Sequence, residues 1–256
     1  MSILTVENLT LRFGGLVAVN DLSFTVEEKT IASIIGPNGA GKTSVFNMIT
    51  GFYSPTSGKI DLDGKSLVDK KPSQITQYGL ARTFQNLRLF PNLSVLDNVK
   101  SGMHCRTKQA VFGALFRTKT QKAEEKFIEE VAYQCIDFVG IRKYVNRAAK
   151  SLPYGAQRYL EIARAIATQP KVLLLDEPAA GLNYEEKQML IELIHKIRDE
   201  YKITVLMIEH DMALIKKISE KITVIDYGCK IAEGTAEEVL SNPKVIEAYL
   251  GKEEVI

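Results

Sequence analysis

Residues 36–43 read GPNGAGKT and directly follow a short apolar run, Ile31–Ile35. Glycines at 36, 39 and 41 free the backbone to turn its N–H groups inward, so this stretch can line an anion nest. Pro37, Asn38 and Ala40 fill the intervening positions, and Ser44 follows as a further phosphate-side residue. Lys42 is spaced to meet the outer phosphates of a nucleotide, and the Thr43 hydroxyl can ligate magnesium. Val45, Phe46, Met48 and Ile49 then read as a helix ending at Gly51, whose N-terminal dipole adds to the attraction for an anion. A strand, a glycine-rich loop and a helix in that order predict a phosphate-binding loop.

A second chemical constellation lies at VLLLDE, residues 172–177. An apolar strand with two acids at its carboxyl end presents them where α/β sheets bind ligands. Asp176 can hold a magnesium shell and Glu177 can activate water; the bland alternative is a solvated strand end before a turn at Pro178. A phosphate loop alone does not choose among kinases, GTPases, recombinases and transport motors. The elements that position these groups narrow the choice.

From residue 3 to about 84 the chain is strand-rich, with Leu4, Val6, Leu9, Leu11 and Phe13 largely at period two, then SFTV, IASII and KIDLDG, the last ending in an Asp-Gly turn. That pattern predicts an antiparallel layer beside a core sheet. Between about 92 and 168 the strand signal fades, and Phe127, Ile128, Val131, Cys135, Ile136, Phe138 and Val139 fall at helical spacing. From 172 onward KVLLLD, a helix near Tyr184–Glu200, ITVLMIE, a helix after Asp211 and KITVID alternate as in a parallel α/β sheet. Pro243 opens a further short helix. The expected organisation is one α/β domain, with residues 1–91 and 169–256 as core plus β layer and 92–168 as an inserted helical subdomain.

Composition removes several classes. The 256 residues are 45% hydrophobic and 25% charged, which excludes wholesale disorder, and no run reaches the 18 or more apolar residues of a membrane span. Thirty-three basic against 31 acidic side chains leave a net charge of +2, too small to steer the molecule onto nucleic acid. Three cysteines, Cys105, Cys135 and Cys229, are odd in number and scattered, so neither a disulfide framework nor a zinc site is expected. Glu7 interrupts the N-terminal segment where a signal peptide needs apolar residues, which points to a cytoplasmic protein. His104 and His195 lack any motif and read as structural or surface residues; Tyr159 and Tyr133 read as packing residues.

Between the two phosphate-site elements lies LPYGAQRYLEIARAIATQP, residues 152–170, which resembles the signature loop and helix of ATP-binding cassette (ABC) ATPases. Phe13 resembles the aromatic residue that stacks on adenine, Gln85 in ARTFQN the Q-loop glutamine, AGLN at 180–183 the D-loop, and His210 in IEHDM the switch histidine. The fold that this resemblance implies is the P-loop ABC ATPase core with an antiparallel β layer and an inserted α-helical subdomain. It implies ATP and Mg²⁺ as ligands, with Thr43, Gln85 and Asp176 around the metal, Glu177 polarising water, His210 sensing the γ-phosphate and Lys42 stabilising charge. Leu152, Pro153, Tyr154, Gly155 and Asn183 would complete the site across a head-to-tail pair of cassettes, a homodimer or a heterodimer.

Two positions depart from the family pattern. Leu152-Pro153-Tyr154-Gly155-Ala156 stands for Leu-Ser-Gly-Gly-Gln, which removes the serine hydroxyl and leaves backbone donors at a helix start. Asn183 replaces the usual D-loop aspartate, and an amide keeps part of that hydrogen bonding. With no span of its own, such a motor implies two membrane permease subunits and, indirectly, a substrate-binding protein, and a peripheral place on the cytoplasmic face of the membrane. Arg88, Leu89 and Phe90 are candidates for the permease contact or for ordinary packing. RTFQNLRLFPNLSVLDNV, GALFRTK, LPYGAQRYLEIARA and DEPAAGLN further resemble the ATPases of branched-chain amino acid uptake, with amide or urea uptake as the alternative. A soluble repair or translation ATPase and a P-loop kinase are the rival classes.

Overall fold

The computed structural model describes residues 1–105 and 119–250. The GALFRTK stretch therefore lies outside the described residues except for Lys119, where a helix begins.

The chain opens with two twelve-residue strands, β1 (Ser2–Phe13) and β2 (Leu16–Glu27), joined by a tight turn. With β4 (Ser57–Leu62) and β5 (Lys65–Ser66) they form an antiparallel sheet of order β2-β1-β4-β5. The period-two pattern slips between Val6 and Leu9 because the ladder itself shifts register there, with Asn8 in the left-handed region at φ +48°. The Asp63-Gly64 turn joins β4 to β5 as the sequence indicates.

Across the second sheet lie, in order, β10 (Cys229–Gly234), β9 (Lys221–Asp226), β3 (Ile31–Ile35), β8 (Thr204–Ile208), β7 (Val172–Asp176) and β6 (Leu80–Arg82). Its centre is made of β3 (Ile31–Ile35), β7 (Val172–Asp176) and β8 (Thr204–Ile208), in which every residue is buried. Both faces are covered, so these strands read as continuous apolar runs rather than alternations. On one face Ala32, Ile34, Val172, Leu174, Leu206 and Ile208 meet the β layer and α1 (Lys42–Ile49). On the other, Leu173, Leu175, Val205 and Met207 meet helices.

Those helices are α3 (Val95–Met103), α4 (Lys119–Phe138), α5 (Tyr154–Ala167) and α6 (Tyr184–Asp199). Their apolar faces join the sheet in one cluster that runs from Val95 and Ile136 through Leu160 to Ile197. Strand β9 (Lys221–Asp226) is covered by α7 (Met212–Ile218), α8 (Ala236–Leu240) and α9 (Pro243–Leu250).

Three elements were not evident from the sequence. Helix α2 (Pro72–Tyr78) and the three-residue strand β6 (Leu80–Arg82) interrupt the strand-rich first segment, and β6 joins the parallel sheet rather than the β layer. The parallel pattern runs through β9 as expected, and beyond it β10 (Cys229–Gly234) returns antiparallel beside β9 through a Tyr227-Gly228 turn. Both of its turn residues have positive φ, as a two-residue hairpin requires.

Candidate active site

Strands β3, β8 and β7 are neighbours and end together, with Ile34 beside Ile208 and Ile208 beside Asp176. The phosphate loop, His210 and the two acids leave these three ends, so the sheet itself delivers them to one edge.

The loop folds as its glycines require. Gly36, Gly39 and Gly41 have φ of +154°, +81° and +101°. A Cβ at Gly36 would stand 1.9 Å from the Ile225 carbonyl oxygen, and one at Gly41 2.5 Å from that of Ala18. The N–H groups of Lys42, Thr43 and Ser44 open α1, where the first turn of any helix lacks internal acceptors. Lys42 is 6% exposed, and its Nζ donates to the carbonyls of Gly36 at 2.7 Å and Pro37 at 2.8 Å. Burial lowers its pKa and the nearby Glu177 carboxylate partly opposes that shift. A cation held by two neutral carbonyls over an anion nest is poised for phosphate.

Pro37 lines the neighbouring cavity against α9. A cavity of about 390 Å³ runs from Leu16–Ala18 of β2 past Asn38, Gly39, Ala40, Gly41, Lys42, Thr43 and Ser44 to Glu177 and His210. A second, of about 330 Å³, takes in Thr43, Arg82, Gln85 and Asp176. Thr43 belongs to both, so the candidate metal-side residues and the phosphate loop share one corner. A hydroxyl, a carboxylate and an amide carbonyl are oxygen donors suited to Mg²⁺, and all three stand at one cavity that also reaches the phosphate loop through Thr43.

Glu177 is the meeting point of three motifs. Gln85 donates from Nε2 to Oε2 at 2.8 Å, and His210 Nε2 lies 2.8 Å from Oε1. The Gln85 amide nitrogen is committed to Glu177, which leaves its carbonyl for a metal. Glu177 itself sits at φ +49°, a conformation that non-glycine residues hold where the surrounding structure enforces it.

Four residues with no role assigned from sequence support this arrangement. Arg82 pairs with Asp176, Nη2 to Oδ2 at 2.7 Å, in a nearly solvent-free setting. Glu209, 3% exposed, accepts from the N–H groups of Ala179 at 2.7 Å and His210 at 2.9 Å, tying the segment after Glu177 to His210. Its burial raises its pKa. Arg158 and Glu161, one turn apart on α5, are fully buried and ion-paired at 3.1 Å. Arg158 donates to the carbonyls of Phe84 at 2.8 Å and Gln85 at 3.0 Å, while Glu161 accepts from the N–H of Phe84 and of Arg88, both at 3.3 Å. The pair grips the Gln85 segment from both sides. A lone Arg in ARTF and a Glu before His210 carry no periodic or motif signal, so sequence reasoning passes over them.

The signature turn lies on α5. Leu152 is buried, Pro153 occupies the N-cap position, and Tyr154 begins the helix half-exposed. The Tyr154 ring covers Gly181, where a Cβ would stand 2.9 Å from it, and Gly155 backs onto the Glu186 carboxylate. Asn183 caps α6, accepting from the Glu186 N–H at 2.9 Å, while the Glu186 carboxylate accepts from the Asn183 N–H at 2.9 Å. Its side-chain oxygen is thus already used within its own chain. Phe13, at the tip of the β1–β2 turn, stands edge-on to Tyr53 at 5.4 Å and remains half-exposed. Arg88 stacks on Phe84 at 4.0 Å, Leu89 packs on the helical core and Phe90 is exposed.

Tyr159 is buried with its hydroxyl donating to the Glu186 carbonyl, and Arg142 stacks on Tyr133, so both tyrosines pack as expected. The three cysteines form no disulfide. Among the described residues no helix is long and apolar enough to cross a membrane.

Residues 19–180 match a family profile described as ABC transporter, and residues 229–255 match one described as branched-chain amino acid ATP-binding cassette transporter. The chain is 48% identical over 250 residues to the high-affinity branched-chain amino acid transport ATP-binding protein BraF of Pseudomonas aeruginosa, covering 98% of each chain. It is 44% identical over 250 residues to LivG of Escherichia coli K12, of the same description and coverage. It also resembles a crystal structure of the ADP conformation of an ATP-binding cassette of an ABC transporter. The TM-score there is 0.85 and the identity 32%, over 98% of this chain and all of that one.

Proposed function

This chain belongs to the ATP-binding family of ABC transporters, whose activity is ATP hydrolysis, and from that premise we propose that it powers an importer of branched-chain amino acids. The observation that carries the reading is the convergence on Glu177 of Gln85 and His210, each at 2.8 Å, beside the phosphate loop. The relatives' names supply the substrate class.

In this reading the phosphate loop, residues 36–44, holds the triphosphate with backbone N–H groups, and Lys42 leaves its loop carbonyls for the outer phosphates. Mg²⁺, when bound among Thr43, Gln85 and Asp176, neutralises charge on the phosphate oxygens. Glu177 accepts a proton from, or polarises, the attacking water, and His210 orients Glu177 while facing the γ-phosphate. Gln85 holds the other carboxylate oxygen. Catalysis is then mainly positioning and charge stabilisation.

The remaining ligands come from a second cassette. Pro153 and Tyr154 stand exposed at the start of α5, with Leu152 and Gly155 buried beside them, and the N-terminus of α5 offers N–H groups to a phosphate without a serine hydroxyl. We place them against the partner's phosphate loop, with Asn183 alongside and Phe13 toward the adenine. The division into a core of residues 1–91 and 169–256 and a helical subdomain of 92–168 separates the two halves of the site. Two permease subunits would receive the motion near Arg88 and Phe90, at the cytoplasmic face of the membrane.

The test is uptake in proteoliposomes that contain the chain with two permease subunits and a substrate-binding protein of the same source. Labelled leucine should accumulate only with ATP on the cassette side. Accumulation of urea or an amide but not leucine would contradict the substrate class, and ATP hydrolysis indifferent to the permeases would contradict the transport role.

A further inference from the structure

Arg82 is the last residue of β6, and the ladder pairs it with Leu174 of β7, two residues before Asp176 on the same side of the strand. Its side chain is 5% exposed and that of Asp176 4%. Nη2 reaches Asp176 Oδ2 at 2.7 Å, and Nη1 reaches Asn47 Oδ1 at 2.8 Å and Thr50 Oγ1 at 3.1 Å, both on or just past α1. The guanidinium plane is held between the rings of Phe46 at 5.4 Å and Phe84 at 4.9 Å. The Nη1 end of this side chain is thus held by the helix that follows the loop and the Nη2 end by Asp176, with two aromatic rings beside the guanidinium, while Nε makes no hydrogen bond.

We propose that Arg82 is a positioning residue for metal binding: it locks the Asp176 carboxylate in one orientation and relays the position of α1 to it through Asn47. The proposal rests on the reading of Asp176 as a metal-side ligand and adds the group that aims it. A planar fork can hold Asp176 and Asn47 together, which an ammonium on a flexible stem does not reproduce. Groups that orient metal ligands in this way commonly govern metal affinity by about 10- to 100-fold. The short strand β6 acquires a purpose on this account, since three residues suffice to carry one arginine to the end of β7.

The measurement is the Mg²⁺ concentration giving half-maximal binding of a fluorescent ATP analogue to the full chain, read by anisotropy without reference to turnover. Arg82→Met should raise that concentration by about 10-fold, with Arg82→Lys between it and the parent. Analogue binding in EDTA should stay unchanged in both. Asn47→Ala leaves the ion pair and the Thr50 bond in place but removes the shorter of the two far anchors, and should move the Mg²⁺ requirement in the same direction by less. If Arg82→Met does not fold, Asn47→Ala decides the matter. A Mg²⁺ requirement within about twofold of the parent in the folded variants, with only the melting temperature lowered, would overturn the proposal. Asp176→Asn run alongside separates the two layers: if it too leaves the Mg²⁺ requirement untouched, the metal assignment of Asp176 fails; if it alone raises it, the role of Arg82 fails.

Discussion

Gly39 and Gly41 stand two residues apart in the phosphate loop, both in the left-handed region, yet their surroundings differ. A Cβ at Gly39 meets nothing within 4 Å, while one at Gly41 meets the Ala18 carbonyl oxygen at 2.5 Å. Gly39→Ala should therefore cost about 1–2 kcal/mol from backbone conformation alone. Gly41→Ala should cost more, since β2 would also have to move. Thermal unfolding of both variants checks the ranking, and equal costs would contradict it. At this scale the sequence was most informative where spacing is itself the chemistry. The loop 36–43, Asp176 and Glu177 were legible because glycine freedom and a strand-end acid pair have fixed places in an α/β sheet. Gln85 and His210 were legible only by resemblance, and the structure brings both to Glu177. Arg82, Glu209, Arg158 and Glu161 were not legible, because a buried polar residue has meaning only through partners 30 or more positions away, such as Ala179 for Glu209 or Phe84 for Arg158.

Helix α7 shows how an element beyond the site is fixed. Asp211 caps it, accepting from the N–H groups of Ala213 and Leu214 at 3.1 Å each, and pairs with Lys187 of α6 at 2.7 Å. The bond from Lys187 is the main reason that its pKa lies below the usual 3.8. A carboxylate with a depressed folded-state pKa contributes stability above its unfolded value and loses it as pH falls through the folded one. Asp211→Asn keeps a cap-forming side chain and removes the charge. The stability gap between parent and variant, about 1 kcal/mol or less for so exposed a pair, should be constant near neutrality and shrink below about pH 4. Denaturant titrations at several pH values measure it, and a gap that grows on acidification would contradict the assignment. Elements were legible when long or periodic, as for β1, β7, β8 and α6. β10, CKIAEG at the sheet edge, was missed because it carries no apolar run, and β6 because it has only three residues. Strands of that length are set by neighbours rather than by their own pattern.

At the scale of the whole molecule, the helical segment is not a separate globule. Its apolar residues share one cluster with the far face of the central sheet, and Arg158 and Glu161 tie α5 to the segment that carries Gln85. A shift of α5 therefore bears directly on Gln85, and through it on Glu177. The same helix begins at Tyr154, over Gly181 of the turn that leads to Asn183. The part of the chain proposed to face a second nucleotide is thus mechanically joined to the carboxylate proposed to act on the first. This joint was invisible in the sequence, where residues 84–88, 158–161 and 177 are far apart, and it depends on tertiary packing alone.

The claim on which the rest depends is that Glu177 activates the water. The most direct measurement is steady-state ATP hydrolysis by Glu177→Gln, with nucleotide binding followed on the same preparation. The amide is isosteric, so ATP should bind as to the parent while turnover falls by about 10²- to 10⁴-fold. Hydrolysis near the parental rate with ATP bound normally would contradict the account.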